Sequence, residues 1–551
     1  METVRYTRGL AKNAFFNMFL TLSQIIIPLI TFPYVSRVLA PEGVGQYDFL
    51  NSFIGYFSMA AMLGIPTYAI KACAIVRDDR MQLSKTIHEV LIINSISALV
   101  SIAVLTICVT LIAKLNSQIM LVVIIGVGLY SQCFGMSWLC SAMEQYAFIS
   151  IKSVGFNILN LILIFILVKD ENDVGVYAAI IAISLLLSNL TNVLYLKKYF
   201  TLKHIGNYNL KKHLKPIIVF FCFTIATTIY TNIDRVMIGF MMDDTAVGLY
   251  STSYKINHLI VTVITSISSV LLPRLSYLIK QGQKEAFDNL IKKAVNIVLI
   301  LAIPSIIFFE FYAKDAIFVF LGDQYELSVV PMKILLPTLL FIGLTNLIGM
   351  QYLVPIGKEK HMMISTICGA IVDIVINAIL IPIIGINGAA IGTLVAEATV
   401  LIYQGILIKK DIKVFLKGIN IKSIICIILF TLPCIAVLNR YVVLQPYLEL
   451  LIGVLSFGLL YLLALFVSKN EIIIMVKNFI LSKSHKTCQK NAAMNKSEMS
   501  SDSQDTNGNI EVLKDEITEE CRGIKDEKEK ELKQKDESDS KEGTEENDSI
   551  K

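Results

Sequence analysis

The stretch RVLAPEGVGQYDF, at residues 37–49, joins two long apolar runs through a connection of only a few residues. A related stretch, DRVMIGFMMDDTAVGLYSTS, occupies residues 234–253. Both contain Arg-Val, a short connection, and then Val-Gly-x-Tyr at the start of the next run. Similar short sequences, VGVYAA at 174–179 and GINGAA at 385–390, open two further apolar runs. The chain therefore contains an internal repeat, and its unit is a set of apolar segments.

The composition is typical of a membrane protein. Of the 551 residues, 55% are hydrophobic and only 17% are charged, and the mean hydropathy is +0.65. A hydrocarbon layer about 30 Å thick requires about 20 apolar residues per helix. By this criterion we predict an all-α polytopic membrane protein with about fourteen transmembrane helices. The predicted spans are 12–36, 46–68, 86–112, 118–140, 150–168, 175–196, 216–241, 247–271, 292–313, 328–350, 362–383, 386–408, 423–439 and 446–467.

The repeat and the loop charges predict a topology. A unit of six helices is even, so both copies enter the membrane in the same direction, as in transporters built from parallel repeats. We predict pseudo-symmetric six-helix bundles at 1–200 and 201–420 and two additional helices at 421–470. Lys and Arg are concentrated near the N-terminus and in every second loop, which places both termini in the cytoplasm. The charged segment 484–551 lacks apolar periodicity and is predicted to be a disordered cytoplasmic tail.

The polar residues of the apolar segments favour a cavity inside the membrane. In the predicted eighth helix, Lys255 and His258 share a face with several hydroxyl side chains, because residues three or four apart lie on one side of a helix. A lysine at the bilayer centre costs about 2.5–3.5 kcal/mol, which disfavours contact with lipid. Similar polar stripes occur in predicted helices 1, 2 and 7, and that of helix 2 includes Asp48. We therefore predict a water-filled cavity between these four helices.

Two adjacent charges, Asp234 and Arg235, interrupt the predicted seventh helix. Neighbouring side chains point about 100° apart on a helix, so these two charges do not neutralise each other. We expect one of them to face the cavity and the other to meet a neighbour such as Lys255 or Arg37. Arg37 is a candidate because it occupies the position in the first repeat that corresponds to Arg235 in the second.

A second polar group, Asp373, Asn377 and Glu397, lies in predicted helices 11 and 12. No basic residue accompanies these carboxylates in the same helices. Ionisable groups inside a membrane often mark proton or cation pathways, so we predict that the three residues bind H⁺ or Na⁺ for ion coupling. The ten Cys residues show no paired spacing, and neither a metal site, a cofactor nor a disulfide framework is predicted.

Six blocks of the sequence lie in order between about residue 8 and residue 410: RVLAPEGVGQYDF, SWLCSAMEQY, NIDRVMIG, VGLYSTSYKI, LLPRLS and GAAIGTLVAE. They resemble conserved blocks of the polysaccharide-unit flippases, a family of the multidrug/oligosaccharidyl-lipid/polysaccharide exporter superfamily. This resemblance implies two six-helix bundles around a central cavity lined by helices 1, 2, 7 and 8.

The resemblance further implies a protein that turns an undecaprenyl-pyrophosphate-linked oligosaccharide from the cytoplasmic to the outer leaflet by alternating access. A pyrophosphate that crosses a low-dielectric layer needs cationic side chains, and its sugars need polar or aromatic ones. The expected location is the bacterial cytoplasmic membrane. Expected partners are the lipid-linked oligosaccharide, membrane lipids, and a polysaccharide polymerase with other assembly proteins, but no nucleic acid. The predicted substrate site comprises Arg37, Arg235, Lys255, Asp234, His258, Tyr47, Tyr250 and Tyr254.

The chain departs from the family pattern in one respect that bears on the substrate. Relatives that carry the peptidoglycan precursor cluster several arginines in the first helices, whereas only Arg37 is available here. The peptidoglycan precursor is therefore a less favoured substrate. The acidic tail also has no counterpart that the resemblance can explain.

Two other classes of function compete with this interpretation. A multidrug or cation antiporter of the same superfamily would need an acidic cavity, which Asp373 and Glu397 favour and Lys255 opposes. A polysaccharide polymerase or membrane glycosyltransferase would need a large outer loop for its catalytic groups. The longest predicted outer loop, AKDAIFVFLGDQYELS, is short for a catalytic domain. We therefore expect no enzymatic activity.

Overall fold

A computed structural model describes residues 2–201, 203–441 and 444–470. All regular secondary structure in these ranges is helical, so the predicted all-α polytopic fold is confirmed. The predicted tail at 484–551 lies outside the described residues. A 3₁₀-helix spans Asp323–Ser328 and a π-helix spans Leu347–Leu353. The α-helices are α1 (Glu2–Met62), α2 (Ile65–Ile75), α3 (Arg80–Leu111), α4 (Ala113–Ser117), α5 (Ile119–Phe134), α6 (Ser137–Ala142), α7 (Tyr146–Leu167), α8 (Val174–Leu196), α9 (Lys211–Met241), α10 (Asp244–Thr265), α11 (Ile267–Lys280), α12 (Lys284–Leu321), α13 (Val329–Leu335), α14 (Thr338–Asn346), α15 (Glu359–Ile384), α16 (Ile386–Leu407), α17 (Ile412–Lys417), α18 (Ile421–Tyr441) and α19 (Pro446–Val467).

Eleven helices in the described part of the chain are long and apolar enough to cross a membrane. The number is twelve if the bent pair Asp323–Leu335 and Thr338–Leu353, which meet at 48°, forms one span. Helix α10 is not among them, because its polar residues lower its mean hydropathy. A count of fourteen requires that α10 and the bent pair each cross once and that α1 cross twice. That count stays a prediction.

Helix α1 is broken at Ala40, within the stretch that opened the sequence analysis. Ala40 has φ 54° and ψ 175°, which is not helical, and Pro41 follows it. A proline disfavours the helical conformation of the residue before it and lacks the N–H that would continue the helix. The first two predicted spans are therefore two segments of α1, residues 2–39 and 41–62, joined directly at a sharp break.

The connections that follow the first, third, fifth and seventh predicted spans lie together at one end of the molecule, which we call the Ala40 end. There the Tyr34 hydroxyl donates to the carbonyl oxygen of Val168 at 2.7 Å, and Lys114 Nζ donates to that of Gly239 at 2.6 Å. These contacts join the break within α1 and the connections after α3, α7 and α9. Successive membrane-spanning helices thus run in alternating directions. That the Ala40 end faces the outside remains a prediction from the loop charges.

The opposite end holds a buried polar network. Glu89 of α3 is fully buried and accepts hydrogen bonds from Lys212 Nζ at 2.7 Å and from the backbone N–H of Asn209 at 2.8 Å. His213 Nε2 lies 2.8 Å from the same carboxylate, and its Nδ1 lies 2.6 Å from the Tyr68 hydroxyl. The network fastens the start of α9 to the first half of the chain.

The two glycines of the repeated Val-Gly-x-Tyr sequence bring α1 and α10 into close contact near the Ala40 end. A Cβ atom on Gly45 would lie 1.6 Å from the carbonyl oxygen of Asp244, and one on Gly248 would lie 1.9 Å from that of Pro41. In each case the opposing residue lies four positions before the other glycine. The contact is therefore reciprocal between equivalent positions of the repeat. The boundary between two bundles near residue 200 stays a prediction.

Candidate functional site

A cavity of about 700 Å³ lies between α1, α7, α8, α9 and α10. Both segments of α1 contribute to its wall, and α9 and α10 supply the opposite side. These are the helices whose polar stripes predicted a cavity. Helices α7 and α8 also line the cavity, which was not predicted from the sequence.

Lys255 faces the cavity but is paired. Its Nζ lies 2.6 Å from Oδ2 of Asp48 on α1, and 5.2 Å from the centroid of the Phe32 ring. The lysine side chain is 35% exposed and the aspartate only 9%. The pair therefore neutralises most of the charge of Lys255 and connects α1 to α10. Asp48 was visible in the sequence as part of a polar stripe but was not predicted to belong to the site.

Arg235 is a cation of the cavity wall whose charge is not balanced by a carboxylate. The centre of its guanidinium group lies 4.8 Å from the Tyr254 ring centroid, and one terminal nitrogen donates to Asn232 Oδ1 at 3.0 Å. Its Nε is buried and has no hydrogen-bond acceptor. Among the described residues, no salt bridge of 4.0 Å or less includes Arg235. Tyr254 and Asn232 thus hold the guanidinium in place, while at least one of its N–H donors has no acceptor.

Asp234 points away from the cavity into a buried cluster. The Tyr250 hydroxyl and the Thr393 hydroxyl donate to its Oδ2 at 2.5 Å and 3.0 Å, and Asn377 Nδ2 donates to its Oδ1 at 2.6 Å. Arg235 lines the cavity, so one of the two charges faces it as expected, but the expectation that the other would meet Lys255 or Arg37 is wrong. Helix α9 packs against α15, so α15 and α16 supply the donors on that face.

The cluster extends to Asp373, one turn from Asn377 on α15. Asn377 Nδ2 donates to Asp373 Oδ1 at 3.2 Å as well as to Asp234 Oδ1, so one amide bridges the two carboxyl groups. Ionised carboxylates can only accept hydrogen bonds and repel each other, so a shared proton or a bound cation would stabilise this contact. Asn377 Oδ1 is buried and has no partner. We call Asp234, Asp373, Asn377 and Thr393 the oxygen cluster.

Glycine makes room for this arrangement. A Cβ on Gly392 of α16 would lie 2.0 Å from Asn377 Oδ1 and 3.0 Å from Asp373 Oδ1. Glu397 is also buried on α16, one turn beyond Thr393, but it interacts with Tyr230 of α9. The structure therefore brings two of the three predicted ion-coupling residues into direct contact and places Glu397 beside them.

The remaining predicted residues occupy different surroundings. His258 lines the cavity and stacks on Tyr254, with ring centroids 5.8 Å apart, and Tyr47 lines the cavity edge-on to Tyr177 at 4.8 Å. Tyr250 is fully buried in contact with Asp234 and does not line the cavity. Arg37 is exposed at the Ala40 end and donates to the carbonyl of Val319, away from the cavity wall.

A cavity of about 700 Å³ that is lined by helices of both halves, with an arginine in its wall and a buried oxygen cluster behind it, is typical of a membrane transporter. Residues 10–279 match a family model described as polysaccharide biosynthesis protein, and residues 216–379 match the MatE model. Together the two matches extend over most of the part that the structure describes. Both matches, together with the relatives described next, support the polysaccharide flippase family of the multidrug/oligosaccharidyl-lipid/polysaccharide exporter superfamily.

Individual relatives are distant but matched over most of their length. The chain is 25% identical over 394 residues to a putative O-antigen transporter of Shigella dysenteriae, covering 69% of this chain and 96% of that protein. It is 24% identical over 404 residues to the capsular polysaccharide biosynthesis protein CapF of Staphylococcus aureus, covering 70% and 95%. The fold is similar to that of the lipid II flippase MurJ in an inward closed conformation. The TM-score is 0.67 at 17% identity, covering 84% of this chain and 100% of that one.

Proposed function

We propose that the protein moves an undecaprenyl-pyrophosphate-linked oligosaccharide from the cytoplasmic to the outer leaflet of the cytoplasmic membrane by alternating access. The unit would then be used for a surface polysaccharide such as capsule or O-antigen. The observation that carries this proposal is Arg235, a guanidinium without a carboxylate partner in the wall of an intramembrane cavity. Arginine binds phosphate groups through several donors at once, and a phosphate inside a bilayer needs such a partner.

The ion pair of Lys255 and Asp48 supplies a second, conditional binding group. Because it joins α1 to α10, the pair stabilises the approach of the two halves in the observed conformation. An incoming pyrophosphate competes with Asp48 for the same ammonium group. Binding of the substrate would therefore weaken the connection between α1 and α10, which links occupation of the cavity to movement of the helices.

The oxygen cluster is proposed to couple this movement to an ion. Its carboxylate, amide and hydroxyl oxygens suit Na⁺, since hard cations prefer oxygen ligands, and its carboxyl contact equally suits a proton. Asp234 and Arg235 are adjacent in α9, so a change at the cluster is transmitted to the cavity by one rigid helix. Both ions remain alternatives.

A multidrug or cation antiporter is the second candidate. The match of residues 216–379 to the MatE model and the buried carboxylates favour it. The cavity itself opposes it, because Arg235 repels a cationic drug and Asp48 is already neutralised by Lys255. An anionic substrate fits this cavity better.

Enzymatic activity is not part of the proposal. The predicted outer loop AKDAIFVFLGDQYELS is not a loop but the end of α12 followed by the 3₁₀-helix Asp323–Ser328. The proposed partners are the lipid-linked oligosaccharide, membrane lipids and the proteins that polymerise the exported unit.

The proposal is tested by complementation in cells that lack the gene. We expect Arg235→Ala to abolish surface polysaccharide and Arg235→Lys to retain part of it, while both variants accumulate in the membrane at the normal amount. Arg37→Ala is the matched control, because Arg37 is an exposed arginine outside the cavity. Normal polysaccharide in the Arg235→Ala cells would reject the function, and loss in the Arg37→Ala cells would restore Arg37 to the site.

A further inference from the structure

One wall of the cavity, formed by α7 and α8, contains none of the charged residues assigned above to the pyrophosphate. Asn157, Asn160 and Ile164 follow one another along one face of α7, and Tyr177 and Ile181 along one face of α8; all five line the cavity. Spacings of three and four residues place such side chains in a row on each helix. The two rows combine amide and aromatic groups with apolar ones and carry no charge.

The amide of Asn160 is fixed in one orientation. The hydroxyl of Ser184 on α8, which is itself buried, donates to Asn160 Oδ1. With its carbonyl oxygen engaged, Asn160 offers the cavity its NH₂ group, which has two donors. That nitrogen makes no hydrogen bond to any residue that the structure describes. The wall therefore presents an oriented donor that is available to a ligand.

Apolar side chains surround this donor. Ile164 lies one turn beyond Asn160 and is buried, and Ile181 lies between Tyr177 and Ser184 on the facing helix. Tyr177 packs edge-on against Tyr47 and adds an aromatic surface of the kind that stacks on the apolar face of a sugar ring. A ligand group that matches this environment has one strong acceptor beside a small apolar group.

An acetamido group has this chemistry, because its carbonyl oxygen accepts a hydrogen bond and its methyl group packs against isoleucine. The sugar nearest the lipid is attached directly to the pyrophosphate, so it must enter the cavity together with the phosphates bound by Arg235. We propose that the wall formed by α7 and α8 binds the acetamido group of this sugar and makes the protein selective for units that begin with an N-acetylated sugar. This inference rests on the function proposed above.

The test measures binding of three lipids to the full-length protein in nanodiscs. They are undecaprenyl pyrophosphate, undecaprenyl-pyrophosphate-linked glucose and undecaprenyl-pyrophosphate-linked N-acetylglucosamine. We expect the N-acetylglucosamine lipid to bind about three- to tenfold more tightly than the glucose lipid, the effect of one net hydrogen bond. Asn160→Ala should remove this difference and leave the affinity for undecaprenyl pyrophosphate unchanged.

Two matched variants complete the design. Asn172→Ala, in the exposed connection between α7 and α8, should keep the preference for the N-acetylglucosamine lipid. Arg235→Ala should weaken the binding of all three lipids by the same factor. Equal binding of the glucose and N-acetylglucosamine lipids to the unaltered protein, or an equal loss of all three in Asn160→Ala, would overturn the inference alone. Failure of the unaltered protein to bind any of the lipids would overturn the proposed function and the inference with it.

Discussion

Asp234 and Arg235 are neighbours in α9, yet the carboxylate is 4% exposed within the oxygen cluster while the guanidinium lines the cavity. The angle of about 100° between adjacent side chains on a helix makes this division possible. In the function proposed above, helix α9 separates an ion-binding face on one side from an anion-binding face on the other, and this relationship would couple the two sites.

The first prediction concerns ion dependence. In proteoliposomes, Asp373→Asn should remove the dependence of transport on a proton or Na⁺ gradient, because it removes one carboxylate of the oxygen cluster. Glu397→Gln should have a smaller effect, since Glu397 interacts with Tyr230 instead. Transport would be followed at opposite gradients of each ion. If transport by Asp373→Asn still depended on the ion gradient, the oxygen cluster would not be the coupling site.

The second prediction concerns the space that the oxygen cluster requires. Gly392→Ala places a methyl group 2.0 Å from Asn377 Oδ1, so the amide or the helix must shift. We expect this variant to reproduce the loss of ion dependence without a change in any charged residue. Gly405→Ala on the same helix is the control, because no heavy atom lies within 4 Å of the added Cβ. The prediction would be contradicted if transport by Gly392→Ala and by Gly405→Ala depended equally on the ion gradient.

The third prediction concerns the contact between α1 and α10. Gly45→Ala or Gly248→Ala should prevent the observed close approach, because the new methyl group would overlap backbone atoms. Cysteines introduced near the Ala40 end should then react faster with a water-soluble thiol reagent. Gly55→Ala, also on α1 but with nothing within 4 Å of its Cβ, should leave the reaction rate unchanged. If the cysteines reacted at the unaltered rate in all three variants, the contact between α1 and α10 would not be what shields this end from the reagent.

The fourth prediction concerns the ion pair of Lys255 and Asp48. Groups in direct contact have coupling energies of about 0.5–3 kcal/mol, and each single alanine variant leaves an unpaired charge in the cavity wall. We therefore expect Lys255→Ala and Asp48→Ala each to lower thermal stability. The double variant should lose less stability than the sum of the two single losses. Additive losses in a double-mutant cycle would mean that the pair does not connect the helices.

The helices could be predicted from the sequence because apolar length is a local property. The connection between the first two spans was also predicted, at 37–45, and the break at Ala40 lies within it. The repeated glycines could be recognised as a pattern, but their mutual contact depends on how α1 and α10 cross. Local sequence also indicated that Asp234 and Arg235 would point in different directions.

The partners of individual side chains could not be predicted, because they depend on tertiary packing. Asp234 was expected near Lys255, but α15 and α16 cover that face of α9 and supply its hydrogen-bond donors. Asn157 and Asn160 were not identified because they occur as isolated polar residues in an apolar helix. Only the opposing α8, with Ser184 and Tyr177, shows that they belong to a cavity.

The most direct test of the central claim is the affinity of the purified protein for undecaprenyl pyrophosphate in nanodiscs, measured for the unaltered chain, Arg235→Ala and Arg37→Ala. A charge-assisted hydrogen bond contributes about 1.5–3 kcal/mol, so Arg235→Ala should weaken binding by about one to two orders of magnitude. Arg37→Ala should bind as the unaltered protein does. Equal affinities of all three proteins would contradict the account of a cationic cavity that carries the lipid headgroup.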